Sequence, residues 1–139
     1  MKTLTAITLL LLSFMILPQG ALAQVEYHEF GEADGVFVEY RWQRESFFGR
    51  DPHALLNLKM TNRLETHLTV TFVVAFYRDD ILSFESEEQI ICLKPGEVIR
   101  GGRADLRFSA EGIRMSTIEE GGFEWDFLYF EAETVPACE

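Results

Sequence analysis

Leu68-Thr69-Val70-Thr71-Phe72-Val73-Val74-Ala75-Phe76-Tyr77 carries the clearest structural pattern in the chain. Its even positions are all apolar, and its odd positions are Thr69, Thr71, Val73, Ala75 and Tyr77. Two residues is the period of a β-strand, and β-branched and aromatic residues dominate this one. Apolar side chains on the second face as well make it a central strand. On its N-terminal side, Val36, Val38, Tyr40 and Trp42 alternate with polar residues over 36–44, and Leu56, Leu58 and Met60 do so over 55–62. Short strands are expected at 81–84, 88–93, 104–108 and 113–118. The final one, 123–132, has Phe123, Trp125, Phe127 and Tyr129 on one face, with Leu128 and Phe130 on the other, which suits a central or dimer-facing strand. Lys94-Pro95-Gly96-Glu97 reads as a type II turn, with proline presetting φ and glycine accepting positive φ. Asp51-Pro52-His53-Ala54 is the one helix-like hint, a single turn at most. Seven or eight short strands without a sustained helical period predict an antiparallel β-sandwich.

Three segments carry a resemblance. They are Leu56-Asn57-Leu58-Lys59-Met60-Thr61-Asn62, the strand 68–77 running on into Arg78-Asp79-Asp80, and Cys92-Leu93-Lys94-Pro95-Gly96-Glu97. A strand ending in asparagine, a strand ending in Y-x-D and an L-x-P-G-E turn are similar to bacterial extracytoplasmic immunoglobulin-like domains of the FxLYD type. The resemblance covers about residues 55–100. It implies an immunoglobulin-like sandwich in a small exported protein, and adds almost nothing about activity, since fold alone does not give function.

The first 23 residues carry an address. Lys2 precedes an apolar run over 6–17, Pro18 and Gly20 break it, and Ala21-Leu22-Ala23 has the form of a signal-peptidase site. This is the layout of a cleaved secretory leader, and its apolar run is too short to span a bilayer. A chain starting at Gln24 has no cysteine there to lipidate. Residues 24–139 are then expected to form a single domain, in a periplasm or outside the cell. Lys2 is the only charge before Gln24, so the processed chain has 11 basic and 23 acidic residues, a net charge of −12 against −11 for the whole. Such a surface repels nucleic acid and anionic headgroups. It serves solubility, or a basic partner. Cys92 and Cys138, an even pair in an exported chain, are expected to form a disulfide. Closing a loop of about 47 residues would contribute about 4 kcal/mol on the chain-entropy account.

Reactive constellations are absent from the sequence. His28, His53 and His67 share no metal-ligand spacing with one another or with the cysteines. Glu85, Glu87 and Glu88, Glu119 and Glu120, and Asp79 and Asp80 are grouped carboxylates, without the D-x-D-x-D-G of a calcium loop. They read as charged loops and strand edges that discourage aggregation. No G-x-S-x-G, H-E-x-x-H or P-loop occurs. The chain is therefore expected to be non-enzymatic and to need no metal or cofactor.

The remaining candidate is Arg44-Glu45-Ser46-Phe47-Phe48-Gly49-Arg50, where two adjacent phenylalanines sit between arginines in a loop. Arginine and aromatics are enriched at binding hot spots. One phenylalanine could instead plug the end of the sandwich. Arg44, Phe47, Phe48 and Arg50 are the expected contacts with a protein or cell-envelope partner, either a client whose exposed strand is shielded or a basic secreted enzyme that is inhibited. The alternative is a glycan or small-ligand module built on exposed aromatics such as Phe37, Tyr77 or Tyr129. A homodimer through the last strand would compete for that face.

Overall fold

Alternation becomes strand almost wherever one face can be buried. The computed structural model describes residues 26–103, 106–110 and 112–139. The expected leader at 1–23 and the cleavage site before Gln24 lie outside the described residues. In chain order the elements are β1 (His28–Ala33), β2 (Val36–Arg44), β3 (Ala54–Asn62), β4 (His67–Arg78), β5 (Ile81–Glu85), β6 (Gln89–Leu93) and β7 (Val98–Arg100). A 3-10 turn (Gly101–Arg103), β8 (Arg107–Phe108), the helix α1 (Met115–Glu120) and β9 (Phe123–Val135) follow.

The strands form two antiparallel sheets. The first runs β1-β2-β3-β7, with β8 also on β3. β7 pairs with residues 59–61 of β3 and β8 with 56–57, so they occupy successive stretches of one edge. In the second sheet β9 pairs along the whole of β4, while β6 pairs with 68–72 and β5 with 75–78. β5 and β6 therefore share the other edge of β4. Between them Ser86 fills the ladder: its N–H donates to the Val74 carbonyl at 2.8 Å, and its hydroxyl accepts the Val74 N–H at 3.0 Å.

One apolar cluster lies between the sheets. Val36 and Val38 of β2, with Leu56, Leu58 and Met60 of β3, face Leu68, Val70, Phe72, Val74 and Phe76 of β4. Each such side chain contributes about 1.5–3 kcal/mol when fully withdrawn from water. Phe72 meets Phe127 edge-on at 5.7 Å, and Phe76 stacks on Phe123 at 5.7 Å. On one open side Phe30 of β1 stacks on Trp125 of β9 at 4.3 Å, closing the seam between the sheets.

Asn62 ties the two sheets by hydrogen bonds, and a disulfide braces the second sheet across its own width. Asn62, buried at the end of β3, donates its amide to the carbonyls of Thr66 (2.8 Å), Lys94 (3.0 Å) and Leu93 (3.2 Å). Its Oδ1 accepts the Leu64 N–H at 2.9 Å. Cys92 and Cys138 form a disulfide, with Cα atoms 5.6 Å apart. Thr69 of β4 pairs with Cys92 on one side and Glu133 on the other, so the segment after β9 crosses back over β4 to reach β6.

Four expectations change. Residues 51–54 hold no helical turn: His53 makes an isolated bridge to Arg114, and Ala54 begins β3. The helix lies instead at Met115–Glu120, where a strand was expected. Helical spacing puts Met115 and Ile118, three apart, on one side, and both pack against the core. Of the strand expected at 104–108, Arg107–Phe108 is strand, after the 3-10 turn, and 104 and 105 lie outside the described residues. Among the described residues β9 pairs with β4 alone, at the edge of its sheet rather than at its centre. Its register slips at Leu128: Val73 pairs with Tyr129 and Val74 with Phe127. One inserted residue sends every later side chain to the opposite face. Tyr129 consequently points outward, and Phe130 turns in to pack on Phe127 at 4.9 Å.

Candidate functional site

The segment joining β2 to β3 is held at its base and projects at its tip. At the base the Glu45 N–H donates to the His53 carbonyl at 2.9 Å. Asp51 reaches the start of α1, where its Oδ2 accepts the Ser116 hydroxyl at 2.8 Å and its Oδ1 the Ser116 N–H at 3.3 Å. The first turn of α1 has no acidic residue of its own. Asp51 thus supplies from the neighbouring loop the carboxylate that helix N-termini favour. The Arg114 guanidinium donates to the Asp51 carbonyl at 2.7 Å, and the Met115 N–H to the Pro52 carbonyl at 3.0 Å.

Beyond this clamp the chain has few internal bonds. The Phe48 N–H donates to the Ser46 hydroxyl at 3.1 Å, and Gly49 turns the tip with a φ of 101°. Phe47 is 91% exposed and Phe48 87%. Neither plugs the end of the sandwich. Arg44 and Arg50 are also exposed; Arg44 ends β2 at the base, paired with Ala54, and Phe47, Phe48 and Arg50 lie on the projecting loop. Beneath it lies a depression of about 440 Å³ lined by Arg41, Trp42, Gln43, Arg44, Phe47 and Met115. Trp42 is half-buried, with its ring against Phe76 (6.0 Å) and Phe123 (5.9 Å). Backed by these core aromatics, its ring forms the floor of the depression. Arginines, exposed phenylalanines and an apolar floor suit a protein or peptide contact better than bond-making chemistry.

The other sequence candidates separate. Among the described residues no group of three or more His, Cys, Asp or Glu side chains is placed to hold a metal ion. Asp79 and Asp80 make the β4–β5 turn with φ of 50° and 65°, a role for which aspartate is tolerated. Both cysteines are consumed by the disulfide. Phe37 lies on the first sheet, its ring covered by the Arg63 guanidinium at 3.9 Å. Tyr77 and Tyr129 lie on the second sheet, in register with Leu82 and Val73. The three aromatics therefore make no common platform.

Sequence reading missed the polar ladder on the outside of the first sheet. Asn57 there donates to Gln43 Oε1 at 3.2 Å and accepts from Arg107 Nε at 3.1 Å. Lys59 pairs with Glu39 at 2.7 Å, and Arg63 with Glu32 at 2.6 Å. The cross-strand register of Glu39 and Lys59 was the available signal, but it appears only once β2 is aligned on β3. No protein-family model matches the chain, and no curated protein and no solved structure is similar enough to it to count as a relative.

Proposed function

We propose that this is an exported, non-enzymatic binding protein whose projecting loop at 44–50 engages a protein or cell-envelope partner. The observation that carries the reading is the exposure of both Phe47 and Phe48 on a loop whose base is clamped to α1. Two phenylalanines left in water gain their burial free energy only when a partner covers them, and a fixed base lowers the entropy lost on binding. Export is supported by the disulfide, which persists in oxidising compartments. No helix among the described residues is long and apolar enough to cross a membrane. The non-enzymatic reading draws on the cysteines being bonded and on the histidines lying apart. The immunoglobulin-like reading draws on two packed antiparallel sheets and on Asn62 and the Lys94–Glu97 turn holding the corner between them. In strand order, β1, β2 and β3 form a meander within one sheet, where a constant-type domain splits its third strand to the other.

The test is capture on the immobilised oxidised protein from envelope and medium fractions, at low and high salt. Recovery of one specific protein, lost when Phe47→Ser and Phe48→Ser are combined with Arg50→Ala, is the expected outcome. Retention of nothing specific at either salt would sink the protein-binding reading. Glycan binding retains Tyr77 and Tyr129 as its aromatic support, and a glycan array probed with Tyr129→Ala addresses it.

A further inference from the structure

The outer face of the second sheet sets exposed apolar residues among carboxylates. β4 turns its even positions into the core, so its odd positions and their cross-strand partners point outward together. Thr71 pairs with Ile90 on one side and Glu131 on the other. Val73 pairs with Tyr129, and Ala75 with Glu85 and Asp126. The centre of this face is thus Ile90, Val73 and Tyr129, with Ile90 65% exposed and the bulged Leu128 51%. Carboxylates flank the centre on both edges of the sheet, and Glu124 and Glu133 extend the column along β9.

None of these carboxylates is in an ion pair among the described residues, where both ion pairs involve residues of the first sheet and its flanking turn. The four strands of the second sheet contain one basic residue, Arg78, at the end of β4. Tyr129 reports the local field. Its phenol is held above the usual value, first by the hydrogen bond it donates to Glu131, then by slight desolvation and the charges of Glu131, Glu88 and Glu133.

We propose that this face docks a cationic segment of a partner protein, whose lysines or arginines meet Glu85, Asp126 and Glu131 around an apolar contact with Ile90, Val73 and Tyr129. The inference rests on the reading of the chain as a binding module but assigns this contact to a surface other than the 44–50 loop. Charge selects the occupant. Carboxylates without cations repel one another, and a basic partner relieves that repulsion while being steered toward the face. A two-fold dimer through the same face would instead set one acidic column against another. Anionic lipid and nucleic acid carry the wrong sign. The apolar centre adds what charge alone lacks, a water-excluding core inside a polar rim.

Calorimetric titration of the oxidised protein with two synthetic peptides of equal charge tests this, one alternating lysine with leucine and the other lysine with serine. The leucine peptide is expected to bind about tenfold more tightly, and its affinity to fall as salt shortens the screening length to about 3 Å. Ile90→Ser, and separately Glu131→Gln with Glu133→Gln, are each expected to weaken it about tenfold, an effect typical of one hot-spot contact. Phe47→Ser with Phe48→Ser is expected to leave it unchanged. Equal affinity for the two peptides, indifference to salt or absence of binding would overturn the proposal. Loss of binding on changing the loop alone would also overturn it, while leaving the loop as a binding site intact.

Discussion

Asn62 joins pieces of chain that no strand pairing connects: the end of β3, the turn into β4, and the end of β6 in the other sheet. Its amide serves three carbonyls at a fully buried site. Asn62→Ala is therefore expected to cost about 3 kcal/mol, the upper end for leaving buried groups unsatisfied. Asn62→Asp keeps the shape but sets an acceptor against three acceptors, and should be at least as damaging. Urea unfolding would show both as a lower midpoint with an unchanged slope. Equality with an exposed change such as Thr61→Ala would remove Asn62 from this role. In the sequence Asn62 is only a turn-adjacent asparagine, because its three acceptors come from residues as far away as Lys94.

At the scale of elements, β2, β3 and β4 were legible because each buries one face over nine or more residues, long enough for alternation to repeat. The segment at 113–118 was not. Six residues hold too little pattern to separate two periods, and its helix depends on a cap, Asp51, supplied from outside. Asp51→Ala is expected to cost about 1 kcal/mol, as loss of an N-cap does. It should also speed amide exchange at Ser116 and loosen the base of the 44–50 loop, as hydrogen-exchange mass spectrometry would read. Ser116→Ala added to it should cost little more, since both act through one contact. The bulge at Leu128 was equally invisible: nothing in Phe127-Leu128-Tyr129 announces a slipped register, and only its pairing with β4 exposes the switch of Phe130 to the core. The loop itself was legible as a candidate. Adjacent side chains of an extended chain point opposite ways, so the sequence suggested burying one phenylalanine. The clamp at its base lifts both away.

Over the whole molecule, charge is divided by sheet. The strands of the first sheet contain five basic and three acidic residues, and those of the second one basic and five acidic. Net charge was plain from composition, but its division needed the strand order. The disulfide acts at the same scale, since it fastens β6 to the segment beyond β9 across β4. Cys92→Ser with Cys138→Ser is expected to lower stability by about 4 kcal/mol at most, the chain-entropy value for a loop of this length. Unfolding in urea with and without reductant would measure it, and a loss below about 1 kcal/mol would mean the two ends already meet in the unfolded chain. A consequence for biogenesis follows from the pairing of β9 with β4. The hub strand is synthesised well before the strand that covers its entire second edge, so on the proposed export route a chain still in transit cannot complete either the sheet or the cystine. Such a delay favours translocation of an unfolded chain. It also leaves a bare β-edge as the hazard of any arrested or truncated product.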